Sequence, residues 1–173
     1  MSEIADHLEV STAAQFKALG HPLRHRLLFA LGQEAATISQ LAVALRVAKG
    51  TVAHHLGVLR DAGMVHVAET RQVRGGTEQY YRRSVRRFDF VGEGARANHA
   101  VSLQAVAADL ETADPDLTYT VRNLRLTREQ AAELGATLDR LVGDLQDAGP
   151  GESRYGVVVS VYRPHQPPPA RQP

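Results

Sequence analysis

The chain has 173 residues, 43% hydrophobic content, neither cysteine nor tryptophan, and a formal net charge of only +1. That length accommodates one domain with an appendage or two small domains around a real core, and the absence of cysteine excludes disulfides, thiolate metal centres and thiol redox switches. No apolar run is long enough for a bilayer-spanning helix. The polar, acidic stretch Met1–Val10 is unlike a secretory leader, so a cytoplasmic location without a membrane partner is expected.

Charge is unevenly spread. Between Lys17 and Arg87 there are twelve Lys and Arg against four Asp and Glu, a net of +8, while the rest of the chain carries −7. A basic segment joined to an acidic one fits a chain of which one part meets a polyanion.

In chain order, Ser11 is placed to cap a short helix to Leu19, with Phe16 and Leu19 inward. Gly20 ends it, and His21-Pro22 opens a second helix in which Leu23, Leu27, Leu28 and Leu31 recur at helical spacing to about Gln33. Thr37-Ile38-Ser39-Gln40 has the form of a capping box, followed by Leu41, Ala42 and Leu45 on one face. A tight turn, Arg46-Val47-Ala48, leads into a helix over about Lys49–Asp61 with Val52, Leu56 and Leu59 inward, closed by Ala62-Gly63. The period then changes. Met64–Glu69 and Glu78–Arg83 read as strands of a hairpin, with Arg71, Arg74 and Gly75-Gly76 between them.

Helical spacing returns from about Glu93 to Glu111, with His99, Leu103, Val106 and Leu110 along one seam, until Asp114-Pro115-Asp116 breaks it. Leu117–Leu126 reads as extended. Thr127–Gln130 forms a second capping box, and Ala131, Leu134, Leu138, Leu141 and Leu145 follow as the apolar stripe of a packed or coiled-coil-like helix. Gly149-Pro150-Gly151 is a break, Tyr155–Tyr162 reads as a strand, and the end of the chain is rich in proline.

Three helices, a turn, a further helix and a hairpin make the order of a winged helix-turn-helix, whose second motif helix can enter the major groove while the hairpin lies along the backbone or reaches the minor groove. The run Phe16–Leu28 (FKALGHPLRHRLL) resembles the opening of the ArsR-like winged-helix regulators. Leu41-Ala42 and the run Thr51–Val65 (TVAHHLGVLRDAGMV) look like their helix-turn-helix and the approach to the wing. The resemblance covers about residues 13–90. It implies a homodimer that binds an operator and responds to a ligand or metal. Ala48, Gly50 and Ala53 stand where that family commonly has polar residues, which shifts expected specificity from direct base readout toward DNA shape and the wing.

The expected fold is therefore α+β. A mainly helical winged helix-turn-helix domain occupies 11–90, a dimerisation and candidate effector region with a helix and a strand-helix-strand extension occupies 91–163, and a proline-rich tail occupies 164–173. At about 100° per residue, Val52, Leu56 and Leu59 share one side of the recognition helix, with Gly50, Ala53, His54 and Gly57 opposite and Lys49, Thr51 and Arg60 on the flanks. Three outward residues are small and admit close approach. His54 is assigned to a base edge, and Lys49 and Thr51 to phosphate or a nearby base. Arg71 and Arg74 are assigned to the wing contact and Gln40 to phosphate at a helix N-terminus. Arg24 and Arg26 read better as surface helix charge.

Sequence-specific regulation by a homodimer on an inverted-repeat operator is the leading function, with double-stranded DNA as partner. A winged-helix protein-interaction module without DNA binding is the alternative. No phosphate-binding glycine loop, metal triad or activated nucleophile stands out, so no enzyme, cofactor or metal is expected. His99 is alone on its seam, and the adjacent His54 and His55 diverge as a chelate. A small-molecule effector of unidentified structure has Tyr119, Tyr155 and Tyr162 available to line an apolar pocket.

Overall fold

The computed structural model describes residues 5–32, 34–115, 118–146, 148–149 and 151–164. The expected tail falls almost wholly outside them, as does Pro150. The chain forms two compact units, Met1–Leu117 and Thr118–Pro173.

The first unit begins with a strand that local patterning does not announce. β1 (Ala5–Val10) runs parallel to β5 (Val85–Phe90), in register from Ala5 opposite Val85 to Val10 opposite Phe90. Val10 is fully buried, and Phe88 and Phe90 lean on the core beside it. α1 (Ala13–Leu19) follows. Its cap is Thr12, one residue beyond the Ser11 that the sequence suggests. Only from Thr12 does a glutamine fall at the third helical position, where Gln15 completes a reciprocal capping box. α2 (Pro22–Leu31) starts with proline at its first turn, and the His21 ring accepts the Leu23 amide.

β2 (Ala36–Thr37) is only two residues long, yet it sets the position of α3 (Ile38–Leu45). It pairs antiparallel with Tyr81 and Tyr80 on β4 (Gly76–Arg83). Thr37 and Gln40 close the expected box at the start of α3. Arg46 then takes a left-handed conformation at φ 55°, the one described non-glycine residue with positive φ, and turns the chain into α4 (Lys49–Asp61). Gly63, at φ 73°, ends that helix. β3 (Val65–Val73) and β4 form the wing, completing a sheet of order β2-β4-β3. A bulge between Val67 and Glu69 interrupts their register, which twists the hairpin away from the plane of the core.

The core is one cluster built from α1, α2, α3, α4 and the base of the wing, including Leu19, Leu27, Leu31, Leu41, Val52, Leu56, Leu59, Met64 and Tyr81. α5 (Ala95–Leu110) belongs to this unit. Its inward side differs from the expected seam. Asn98 and Ala105 are buried, whereas His99, Leu103 and Leu110 face solvent. At its start the Phe16 ring packs close against Gly94, the N-cap of α5. A salt bridge from Arg26 to Asp109, 2.8 Å long, ties α5 to α2 near the other end. Arg26 is thus an internal strut between two helices.

The second unit contains α6 (Arg128–Gly143), opened by the expected box of Thr127 and Gln130. The segments Leu117–Leu126, read from sequence as extended, and Tyr155–Tyr162, read as a strand, enter no β-ladder at their described residues, 118–126 and 155–162. β-branched residues favour a pleated conformation only where a neighbouring strand takes up the backbone groups, and no strand pairs with these segments among the described residues.

Gly94 yields a packing test. A Cβ there would lie 2.7 Å from the Phe16 ring, a close contact with a rigid group at the base of α5. Gly94→Ala should therefore destabilise the protein by about 1–3 kcal/mol, alanine also being the poorer residue at an N-cap. Urea unfolding of the two proteins checks this, and an unchanged midpoint would show that the ring is free to move aside.

Candidate nucleic-acid interface

The outward face of α4 is a consequence of its inward one. Val52, Leu56 and Leu59 are fully buried at positions three and four apart, so the opposite side must face solvent. Lys49, Gly50, Thr51, Ala53, His54 and Arg60 are all exposed, as are Gln40 on α3 and Arg71 and Arg74 on the wing. All nine residues assigned from sequence are therefore accessible.

The start of α4 differs from those of α1, α3 and α6. Its N-cap, Ala48, makes no side-chain hydrogen bond, whereas each of those three is closed by a capping box. The first amides of a helix have no intrahelical acceptor, so here they are left to water or to an anion. Lys49 stands at the same end. A Cβ built on Gly50 or on Gly57 would meet nothing within 4 Å. Glycine weakens a helix by roughly 0.8–1 kcal/mol relative to alanine, and no internal contact requires it at either position.

The wing brings a second cation into place. Val73 pairs with Gly76, so the hairpin turns through Arg74-Gly75, with positive φ at both Gly75 and Gly76. A cleft of about 400 Å³ separates this tip from the start of α3, lined by Ser39, Arg74, Thr77 and Gln79 among others. The β2–β4 pairing is what sets α3 beside the wing, and sequence spacing gives no hint of that neighbourhood. Gln40 lies one residue along from the cleft, but its side-chain oxygen is held by the Thr37 amide. Arg71 sits within β3 rather than in the connecting turn. It is bound by Glu69 through two hydrogen bonds of 2.6 and 2.8 Å, and its guanidinium lies 4.5 Å from the Tyr80 ring centre. Hydrogen bonding to Arg71 holds the Glu69 carboxyl below the usual carboxylate range. The two wing arginines thus differ: Arg74 presents its charge openly at the tip, and Arg71 presents one partly cancelled.

Behind the exposed face lies a cluster of basic groups that sequence spacing leaves undetected. The His55 ring is buried on α4, 4.5 Å from the His21 ring and 5.2 Å from the His54 ring by centroid. Arg24 Nη1 is 3.4 Å from His55 Nδ1, and its Nη2 donates to the Lys17 carbonyl at 2.9 Å. Burial first, then the charges of His21, Arg24 and His54, push the His55 pKa down. Nearby, His25 is buried with its ring nitrogen 2.8 Å from the Leu19 carbonyl, and burial likewise lowers its pKa. Both rings are therefore neutral in the folded protein near pH 7, and the Nε2–H of His25 donates to Leu19. Among the described residues, no group of three or more His, Asp or Glu is arranged to hold a metal ion.

Comparison with known proteins follows the same segment. Residues 21–67 match the family described as "Bacterial regulatory protein, arsR family". No curated protein matches the chain. Among solved structures, the chain is similar to the transcriptional repressor BigR from Xylella fastidiosa, with 27% identity over 53% of this chain and 79% of that one, at a TM-score of 0.33. It is similar to a possible transcriptional regulatory protein from Mycobacterium bovis, with 26% identity over 54% and 89% of the two chains and a TM-score of 0.31. A MarR-family transcriptional regulator from Silicibacter pomeroyi shares 16% identity over 76% and 77%, at a TM-score of 0.34.

Two outcomes follow from these contacts. Because the folded state holds His25 and His55 below their ordinary values, the unfolded chain takes up protons first as the medium is acidified. The stability tied to both rings is complete above about pH 6.5, the ordinary imidazole value, and is lost as pH falls through the lower folded values. Thermal unfolding between pH 8 and pH 5 should show this decline, and His25→Gln should flatten it. On the wing, Glu69→Gln should release Arg71 and raise affinity for duplex DNA severalfold at low salt, read by fluorescence anisotropy. Unchanged affinity would place Arg71 off the DNA.

Proposed function

We propose that the chain, whose residues 21–67 match the family of bacterial regulatory proteins named for ArsR, is a sequence-specific DNA-binding transcriptional regulator acting as a homodimer on an inverted-repeat operator. The observation that carries the proposal is the outer face of α4. It is exposed, opened by Gly50 and Gly57 where the protein's own packing demands no glycine, and flanked by Lys49 and Arg60. A face that is costly to the free helix and matched to close approach of a polyanion is the face expected of a helix lying in the major groove.

Within this reading, Lys49, Thr51 and the uncapped first-turn amides of α4 hold a phosphate, and His54 meets a base edge. Gly50 and Ala53 let the helix approach the groove floor. Arg74 follows the backbone or enters the minor groove, with Arg71 in support, while Gln40 at the start of α3 and Arg60 at the end of α4 flank the contact. Few of these groups read bases, so much of the specificity comes from DNA shape and deformability. Dimerisation is supported by the outer face of α5, where Leu103 and Leu110 are exposed on a helix whose other side is docked. Two helix-turn-helix units related by a twofold axis would then read two half-sites about one helical turn apart. Tyr119, Tyr155 and Tyr162, the residues available to a small-molecule effector, are largely exposed in the single chain.

The first experiment selects bound fragments from genomic DNA, then titrates the best fragment against scrambled duplex over a salt series. A preferred site with a steep salt slope is expected. Salt-insensitive or absent affinity would point instead to a partner-docking winged helix. On that site, His54→Ala should narrow the gap between specific and scrambled DNA, whereas Arg74→Ala should weaken both and lower the salt slope by about 1. Gly50→Ala should raise stability by about 0.5–1 kcal/mol while lowering DNA affinity. A gain in stability with affinity intact would remove the close-approach argument.

A further inference from the structure

The unit Thr118–Pro173 holds many apolar side chains, and among its described residues none is buried. α6 runs sixteen residues under a complete capping box, yet none of its side chains is buried. Ala131, Leu138 and Val142 are half-covered along one stripe, while Leu134, Leu141 and Leu145 are open to solvent. On the chain beyond α6, Val157, Val158, Val159 and Val161 are all exposed, and residues 153–164 enter no ladder. Their amides and carbonyls each need a partner, and a β-branched run of this kind gains its preferred conformation only when an adjacent strand supplies one. A folded unit of this size with so large an apolar surface is not expected to stand alone in water.

We infer that a second copy of this chain covers it: the segment 155–162 pairs with its own counterpart, forming an intermolecular sheet against which the two α6 helices pack. A strand edge is complementary to itself when two identical strands run antiparallel across a twofold axis, so each copy supplies what the other lacks. Alternation sets the buried side, since Tyr155, Val157, Val159 and Val161 fall on one face of an extended segment. Charge permits the approach. From 118 to 164 the chain has six arginines and six acidic residues, so two copies do not repel, and the cation excess that suits residues 17–87 to DNA is absent. Apolar surface is on hand for the seam, since Leu134, Leu141, Leu145, Tyr155, Val157 and Val159 are all exposed, and a specific interface covers roughly 800 Å² per partner. The inference rests on the homodimeric reading above and gives the dimer a C-terminal seam in addition to α5.

The chain has no cysteine, so a single introduced thiol reports only on contacts between copies. Ser160→Cys, at an exposed position, is labelled with a nitroxide, and electron–electron dipolar coupling is measured in the full chain without DNA. Paired segments place the labels within roughly 20 Å of each other, a few strand spacings apart. That short distance should vanish in the Val157→Glu/Val159→Glu background, with helicity by circular dichroism preserved. Absent coupling, or label separations well beyond that range, would overturn the C-terminal seam. Survival of the short distance in the double glutamate chain would overturn it as well. DNA affinity of the same labelled protein, read by anisotropy, separates the two conclusions. Tight specific binding with distant labels removes only the seam, and a short distance without DNA affinity removes only the regulator reading.

Discussion

Val52, Leu56 and Leu59 are three side chains on one helix, and their burial against the core of α1, α2 and α3 fixes the rotation of α4. A rotation of α4 by one residue would turn the glycine-opened face sideways and expose leucine. Transferring a leucine from water to the interior is worth about 1.5–3 kcal/mol, so the inner stripe holds the outer face far more firmly than any surface charge could. The turn before α4 supports the same geometry, since Arg46 adopts a left-handed conformation to bring the chain from α3 into α4 at the required angle.

The polar layer between α2 and α4 works against a more permissive packing. His55 and Arg24 meet at the junction, with the His21 ring tilted by 40° against that of His55 and the Lys17 carbonyl taking one guanidinium donor. A group of basic side chains this close is tolerable because burial keeps His55 neutral, which removes a repulsion that a charged ring would add. The positive potential that remains comes from Lys49, Arg60 and Arg74 at the exposed periphery, where water screens their mutual repulsion and a polyanion can displace that water.

Most of the first unit was legible in the sequence because its signals are local. The capping box at Thr37, proline at the start of α2, and the leucine spacing of α4 each lie within a few residues of the feature they mark. The exposed residues of the interface followed from helical periodicity. What escaped was set by distant partners. β1 is a strand only because β5 lies beside it, and its own residues, ADHLEV, carry no apolar alternation. The inward side of α5, with Asn98 and Ala105, was not legible because it docks on residues far away in sequence, Phe16 beside Gly94 and Arg26 paired with Asp109. The pairing of Arg71 with Glu69 and the Arg24–His55 contact depended on side-chain direction, which composition does not encode. In the second unit, β-branched composition was visible but the pairing partner that would make a strand of it was not.

The parallel pairing of β1 with β5 has a consequence for the order in which the chain organises itself. Ala5 and Val85 are neighbours in the ladder, so the whole helix-turn-helix and wing lie within a single crossover connection. Closing so long a loop in an unfolded chain costs conformational entropy that grows with the logarithm of its length, and contacts of such high sequence separation slow folding when they must form early. Once the helices and wing have condensed, the two ends of that connection, in α1 and β4, are held in one core and most of that entropy has been lost. The first strand then acts as a latch that docks on a preformed edge, and its release on heating should precede loss of the helical core instead of triggering it.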